Sequence, residues 1–162
     1  MFVLGIDPGL TRTGFGLVRR GPNGIEAVGA GVIRTEAATP TPIRLAELRE
    51  GLRSVIDEHR PTAMAIETVF TNRNRATAIS VGRASGVALL AAGEAGIPVT
   101  EYTPTAIKLA IAGSGRADKK AVQLMVGRRL SLKEPPRPAD AADALAIAIC
   151  HLQSLHVAGR IG

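Results

Sequence analysis

Cysteine, histidine and aromatic residues are scarce in this sequence. It contains one cysteine, three histidines, three phenylalanines, one tyrosine and no tryptophan. The single cysteine, Cys150, excludes an internal disulfide bond, so we expect a cytoplasmic protein. The histidines, His59, His151 and His156, lie outside the motifs described below, and we expect them to be surface or packing residues.

Signals for export or membrane insertion are also missing. The apolar runs are too short to cross a bilayer, and the N-terminus has neither a basic segment nor a cleavage site. The chain has 162 residues, of which 46% are hydrophobic, as expected for one globular domain with a sizeable core. We expect residues 1–157 to form that domain and residues 158–162 to be a disordered tail.

The charge is positive and unevenly placed. Lys and Arg number 20 and Asp and Glu number 14, which gives a net charge of +6. Residues 108–137 carry this whole excess. A clustered excess favours a polyanionic partner, although a solvated helix face explains it equally well. The basic residues of the window are Lys108, Arg116, Lys119, Lys120, Arg128, Arg129, Lys133 and Arg137.

The hydrophobic periodicity predicts an α/β fold. Strands are predicted at 2–7, 14–20, 25–34, 62–67 and 99–103, and helices at 42–60, 77–95, 104–112, 118–130 and 140–155. Two meander strands followed by alternating strands and helices imply a mixed five-stranded sheet with helices on both faces. The helix at 77–95 is apolar nearly all round, which predicts that it is buried, either in a dimer interface or in the core.

Two carboxylates end the two most apolar strands. Asp7 follows the first strand and Glu67 follows the fourth. Strands that are apolar throughout are usually parallel and covered on both faces. If these two are parallel neighbours, both acids emerge at the carboxyl edge of the sheet, where open α/β sheets place their sites.

Two further carboxylates, Asp140 and Asp143, begin the last helix. Their spacing places them on one face of its first turn, and the apolar remainder of the helix must pack on the sheet. Four carboxylates from different elements are typical of a site for hard divalent cations. Each acid also has a structural explanation: a turn for Asp7, a solvated strand end for Glu67, an N-cap for Asp140 and a helix-dipole contact for Asp143.

Three sequence blocks in this order resemble the RuvC-type Holliday-junction resolvases. The blocks are Gly5-Ile6-Asp7-Pro8-Gly9, then Ile66-Glu67 followed by Phe70, then Asp140-Ala141-Ala142-Asp143-Ala144-Leu145. The resemblance extends from about residue 2 to residue 156. It implies an RNase H-like fold, a homodimer and magnesium-dependent paired nicking of four-way DNA junctions.

The resemblance also implies roles for individual residues. Asp7, Glu67, Asp140 and Asp143 match the family's acidic quartet, which implies two Mg²⁺ ions per site with Mn²⁺ as a substitute. Some relatives carry histidine at the position of Asp140. Lys108 and Lys119 match the family's functional lysines. The resemblance further implies work with the RuvA–RuvB branch-migration complex and no membrane partner.

The residues expected to contact DNA lie near these blocks. Phe70 is an aromatic residue in a polar stretch, where it would either stack on unpaired bases or anchor the loop to the core. Lys119 and Lys120 fall in the first turn of a helix, a poor place for cations unless phosphate binds there. The other expected contacts are Arg73, Asn74, Arg75 and Arg116.

Two other functions fit parts of the sequence. A phosphotransferase of the actin and sugar-kinase superfamily would share the sheet and the segment from Asp7 to Gly14, but the chain is too short for the second domain that closes over ATP. A non-catalytic DNA-binding module would use the basic cluster but would not need four converging acids. A magnesium-dependent ATPase assay without DNA discriminates the phosphotransferase, and metal-dependent cleavage of DNA discriminates the non-catalytic module.

Overall fold

The computed structural model describes residues 1–68 and 74–158, with side chains up to residue 155. Phe70 and Arg73, two of the expected DNA contacts, lie outside the described residues. So do residues 159–162 of the expected tail.

The described strands form one five-stranded mixed sheet in the order β3-β2-β1-β4-β5. β1 pairs antiparallel with β2 and parallel with β4, which in turn pairs parallel with β5. This arrangement confirms the predicted mixed sheet and the parallel pairing of the two acid-ending strands. The strands are β1 (Phe2–Asp7), β2 (Arg12–Gly21), β3 (Gly24–Arg34), β4 (Ala63–Glu67) and β5 (Val99–Tyr102).

Helices cover both faces of the sheet, as predicted. On one face α1 and α2 pack over a core that includes Leu4, Ile6 and Ile66; on the other, α3, α4 and α5 pack over Val3 and Ala65. The alternation of side chains along β1 thus supplies both cores. The helices are α1 (Thr41–His59), α2 (Arg75–Glu94), α3 (Pro104–Ala112), α4 (Lys119–Arg129) and α5 (Ala139–Ala158).

Helix α5 lies unusually close to the sheet because the residues beneath it are glycines. A Cβ atom at Gly5 would overlap the backbone of Ala144 and Ala148, and one at Gly14 would overlap the carbonyl group of Asp140. These strand glycines therefore let the first turn of α5 approach the ends of β1 and β2.

Helix α2 differs from the sequence prediction. Its small residues, such as Ala84 and Ala88, are buried, but Ile79 and Leu90 are 56% and 52% exposed. In the single chain α2 is therefore not a core helix, and its burial in a dimer interface, the other expectation, stays a prediction. Contrary to the sequence expectation, α2 is also long and apolar enough to cross a bilayer. Of its most apolar 18-residue stretch, 28% is buried within the described chain.

Candidate active site

The parallel pairing of β1 and β4 places two acids side by side. Ile6 and Ile66 are partners in the sheet register, so the residues that follow them, Asp7 and Glu67, end adjacent strands at the same edge. Glu67 raises the pKa of Asp7 electrostatically, which places the two carboxyl groups within range of each other. This geometry confirms the inference drawn from the two apolar strands.

Helix α5 brings two more carboxylates to this edge. Asp140 and Asp143 lie in its first turns, and one carboxylate oxygen from each lies within 4.8 Å of an oxygen of Asp7. All three residues are partly buried. Asp140 is inside the helix rather than at its N-cap, because the carbonyl group of Pro138 accepts from the amides of Ala141 and Ala142.

Burial dominates the chemistry of Asp7. Burial is the largest cause, and together with the negative charges of Glu67, Asp143 and Asp140, and against the opposing effect of Lys119, it raises the pKa of Asp7 from 3.8 to about 7. Holding this carboxylate ionised among three others costs free energy unless positive charge is added. The cluster is therefore electrostatically suited to bind cations.

Two basic side chains contact the cluster. Nζ of Lys119, at the start of α4, lies 2.8 Å from Oδ2 of Asp143. Nε of Arg12, at the start of β2, lies 2.6 Å from Oδ2 of Asp140. Each pair leaves the basic side chain partly in solvent, since Lys119 is 60% exposed and Arg12 is 44% exposed.

Arg12 is the residue of this site that sequence reasoning missed. The predicted second strand began at residue 14, whereas β2 begins at Arg12. Its partner Asp140 is 128 residues away along the chain, so no local pattern links the two. An arginine beside the Asp7-Pro8-Gly9 turn was the only signal available, and a turn residue of this kind is usually solvated.

The acids and cations line one open cavity of about 490 Å³. Lys108 of α3 also lines it, so the structure brings both sequence-predicted lysines to the four acids. Ile107, Val122 and Ile147 form its apolar wall. A cavity with carboxylates, basic side chains and an open mouth can hold metal ions beside a polyanionic substrate.

The remaining basic residues divide into two groups. Arg75, Arg116 and Lys120 are exposed near the ends of α2 and α4, and the side chain of Asn74 accepts a hydrogen bond from Ala76 at the start of α2. Arg129 instead donates to the carbonyl groups of Ala110 and Ile111 at the end of α3. Part of the basic cluster therefore stabilises the fold rather than facing solvent.

The donor set is consistent with magnesium. All four acids supply carboxylate oxygens, the ligands that hard divalent cations prefer. They come from three separate elements, and burial together with the neighbouring negative charges raises the pKa of Asp7. Among the described residues the cluster of Asp7, Asp140 and Asp143 is the one with metal-ligand spacing.

Comparison with known proteins gives a consistent result. A family model described as crossover junction endodeoxyribonuclease RuvC matches residues 3–151. A protein of that name from Desulfitobacterium hafniense is 50% identical over all 162 residues and 98% of its own length.

Two solved structures are similar over nearly the whole chain. Thermus thermophilus RuvC is 40% identical with a TM-score of 0.91, covering 98% of this chain and 97% of that one. The same protein in complex with Holliday junction substrate is 41% identical with a TM-score of 0.91, covering 98% and 96% of the two chains.

Proposed function

The chain belongs to the RuvC family of crossover junction endodeoxyribonucleases and is, like its relatives, a Holliday-junction resolvase with an RNase H-like fold, and we propose how its own residues carry out the reaction. This activity belongs to DNA recombination and repair. The family match supports the nuclease rather than a phosphotransferase or a non-catalytic DNA-binding module.

We propose that Asp7, Glu67, Asp140 and Asp143 hold two Mg²⁺ ions, for which Mn²⁺ can substitute. The observation that carries this proposal is the approach of Asp7, Asp140 and Asp143 to within 4.8 Å, beside a strand that ends in Glu67. When bound, the ions supply positive charge at the attacking and leaving oxygens of the phosphodiester and lower the pKa of water. The carboxylates hold this charge at the mouth of a cavity that DNA can reach.

We propose that the two lysines act on the phosphate rather than on the metals. Lys119 holds Asp143 in place and leaves most of its side chain in solvent, where a phosphate oxygen can accept a hydrogen bond from it. Lys108, which belongs to α3, also lines the cavity. Both are placed to stabilise the charge that develops during cleavage.

The proposed DNA surface extends from the cavity over the ends of α2 and α4. Arg75, Arg116 and Lys120 are exposed there and carry charges that phosphates attract. The sequence places Phe70, Arg73 and Asn74 between Glu67 and α2, so we propose that this segment contacts the junction centre. Phe70 would stack on bases that have opened.

We propose that two copies of the chain pair through α2. Its exposed apolar residues Ile79 and Leu90 lie on the same side as Gly82, Gly86 and Gly93, and open space surrounds these glycines within the described chain. Small residues allow close approach of a second helix, and burying the apolar side chains would stabilise the pair. A two-fold dimer supplies the two cleavage sites that paired nicks need.

The cellular setting follows from the family resemblance. We propose that residues 1–157 act as a single nuclease domain in the cytoplasm. We also propose that the dimer works on junctions delivered by the RuvA–RuvB branch-migration complex.

A synthetic four-way junction with a mobile centre tests the proposed function. We expect Mg²⁺-dependent paired nicks in the junction and little cleavage of linear duplex with the same sequence. Light scattering during size-exclusion chromatography should give the mass of a dimer, and Leu90→Lys should shift it toward the monomer. Equal cleavage of both DNAs would contradict junction selectivity, and a monomeric wild type that makes paired nicks would contradict the dimer.

A further inference from the structure

We propose that Arg12 contacts the phosphate backbone of the junction and exchanges Asp140 for that phosphate when Asp140 ligates metal. This inference rests on the proposed function of the acidic site. It assigns Arg12 a role in substrate binding that depends on the state of the site.

The Arg12 side chain contacts the acidic site and is also exposed to solvent. Its guanidinium is bound to Asp140 through Nε at 2.6 Å, yet 44% of the side chain remains exposed at the mouth of the cavity. The same oxygen, Oδ2 of Asp140, belongs to a carboxylate in the metal-ligand cluster. A metal cation on this carboxylate withdraws negative charge from it and repels the guanidinium, so occupation of Asp140 by metal weakens its bond to Arg12.

The backbone that carries Arg12 is held by hydrogen bonds on both sides. The amide of Thr35 donates to the carbonyl of Thr11, and the Thr35 hydroxyl donates to the carbonyl of Leu10. Arg44, which is 8% exposed, donates to the hydroxyl groups of Thr35 and Thr11 and so holds the two segments together. On the other side, the hydroxyl of buried Thr13 donates to the carbonyl of Gly9.

These hydrogen bonds fix the Cα atom of Arg12 beside the acidic site, while its side chain remains free to change partner. A rigid backbone that presents an exposed guanidinium is suited to a defined phosphate contact, because little conformational freedom is lost on binding.

Arg12 is paired in the sheet with a second arginine. Arg12 and Arg34 are directly opposite each other where β2 and β3 meet the site edge. Like charges in opposite positions of neighbouring strands destabilise a sheet. Arg34 is exposed, so the two side chains form a cationic edge next to the acidic cavity. Such an arrangement favours a polyanion that lies across the edge and neutralises both charges.

The experiment measures how junction binding depends on salt in two metal conditions. Fluorescence anisotropy of a labelled four-way junction gives the binding constant over a KCl series, once with EDTA and once with Ca²⁺ in place of Mg²⁺, with a gel to check that the DNA stays uncut. The variants are Arg12→Ala, Arg12→Gln and Arg12→Lys. Arg19→Ala is the matched control, because Arg19 is also in β2 and pairs through Nε with an exposed carboxylate, Glu26, at 2.9 Å.

We expect a difference between wild type and Arg12→Ala only when metal is present. With Ca²⁺ the slope of log K against log salt should fall in magnitude by about 0.9, the value for one phosphate contact. Arg12→Lys should restore most of the slope, and Arg19→Ala should match the wild type. In EDTA all variants should share one slope, because Arg12 is then held by Asp140.

Calorimetric titration of the DNA-free protein with Mg²⁺ supplies a second readout. Arg12→Ala should bind Mg²⁺ several-fold more tightly than wild type, since the competing cation is gone, whereas Arg19→Ala should not differ. If Arg12→Ala does not fold, Arg12→Gln carries the same comparison.

Each alternative result overturns a stated part of the inference. Equal slopes for wild type and Arg12→Ala in Ca²⁺ would show that Arg12 only stabilises the fold. If Arg12→Ala lowers the slope of log K against log salt equally in EDTA and in Ca²⁺, Arg12 contacts DNA without exchanging Asp140. An Arg12→Ala protein with the wild-type affinity for Mg²⁺ would lead to the same conclusion. A wild-type protein that fails to bind or cut junctions would instead contradict the proposed function itself.

Discussion

Nζ of Lys119 lies 2.8 Å from Oδ2 of Asp143, so the first residue of α4 is bound to a carboxylate of α5. Asp143 is the main cause of the raised pKa of Lys119, and Lys119 in turn lowers the pKa of Asp7. One ammonium group therefore acts on two acids from different elements. The neighbouring residue Lys120 is exposed and provides a matched comparison.

Lys119→Ala should slow junction cleavage and reduce the salt dependence of junction binding. Losing one phosphate contact lowers the slope of log K against log salt by about 0.9. Because Lys119 also lowers the pKa of Asp7, the variant should shift the pH profile of cleavage upward. Lys120→Ala should at most reduce the slope of log K against log salt, and its pH profile of cleavage should match that of the wild type. A Lys119→Ala enzyme with wild-type rate, slope and pH profile would assign Lys119 to the solvated surface.

Asp7→Asn should abolish cleavage and leave junction binding intact. The amide removes an anionic metal ligand, whereas phosphate contacts carry most of the affinity. Gel-shift and cleavage assays on one preparation measure both properties. A fully active Asp7→Asn enzyme would contradict the metal-site proposal.

The same substitution should stabilise the metal-free protein at neutral and alkaline pH. The pKa of Asp7 is 3.8 in a model compound and about 7 in the fold, so the folded state binds the additional proton between these values. The free energy of unfolding therefore falls as the pH rises from about 4 to about 7. Asp7→Asn removes this loss, on the order of a few kcal/mol. Urea unfolding in EDTA at pH 5 and pH 8 should show a gain for the variant mainly at pH 8.

Mg²⁺ affinity should depend on pH through the titration of Asp7. A metal ligand must be deprotonated, so binding below about pH 7 has to release the proton that the raised pKa of Asp7 retains. The apparent dissociation constant for Mg²⁺ should rise by up to tenfold for each pH unit below 7 and level off above it. Calorimetry in two buffers of different ionisation enthalpy counts the released proton. A constant affinity between pH 5.5 and pH 8 would show that Asp7 is already ionised in the metal-free protein.

Much of the fold and site could be predicted because the deciding signals are local. The apolar runs that end in Asp7 and Glu67 predicted parallel neighbours, and the register of β1 with β4 agrees. The spacing of Asp140 and Asp143 placed both on one face of α5, and packing of its apolar remainder brought them to the sheet.

The features that sequence reasoning missed depend on tertiary packing. Arg12 meets Asp140 across 128 residues, and Arg129 meets the carbonyl groups that end α3. No periodicity encodes either contact. The sequence left open whether the core or a dimer interface covers α2, because hydrophobicity reports that a surface is apolar and does not report what covers it.

Phe70→Ala should cut intact junctions slowly while remaining folded and dimeric. Unstacking a base step costs a few kcal/mol, which an inserted apolar ring can offset. A junction with unpaired bases at its centre should restore much of the rate, because that cost is already removed. Equal slowness on both junctions, or a lowered melting temperature, would make Phe70 a packing residue.

Gly14→Ala should disable the site by displacing Asp140, a proposed metal ligand, through its backbone. Gly14 pairs with Asp7 in the sheet, and a Cβ there would overlap the carbonyl carbon and oxygen of Asp140. The helix turn that carries Asp140 must then move away from Asp7, and a shift of about 1 Å can lower a rate by about 10²-fold.

Gly29→Ala in β3 is the control for this prediction, since the nearest atom to its Cβ would be Leu17 Cδ1 at an ordinary 3.7 Å. We expect Gly14→Ala to bind Mg²⁺ more weakly and to cut about 10²-fold more slowly at saturating Mg²⁺, with a stability loss of about 1–3 kcal/mol from overpacking. Gly29→Ala should keep its affinity and rate. Because both substitutions add one methyl group to a strand, a Gly14→Ala enzyme that loses only stability would show that α5 can shift without separating Asp140 from Asp7.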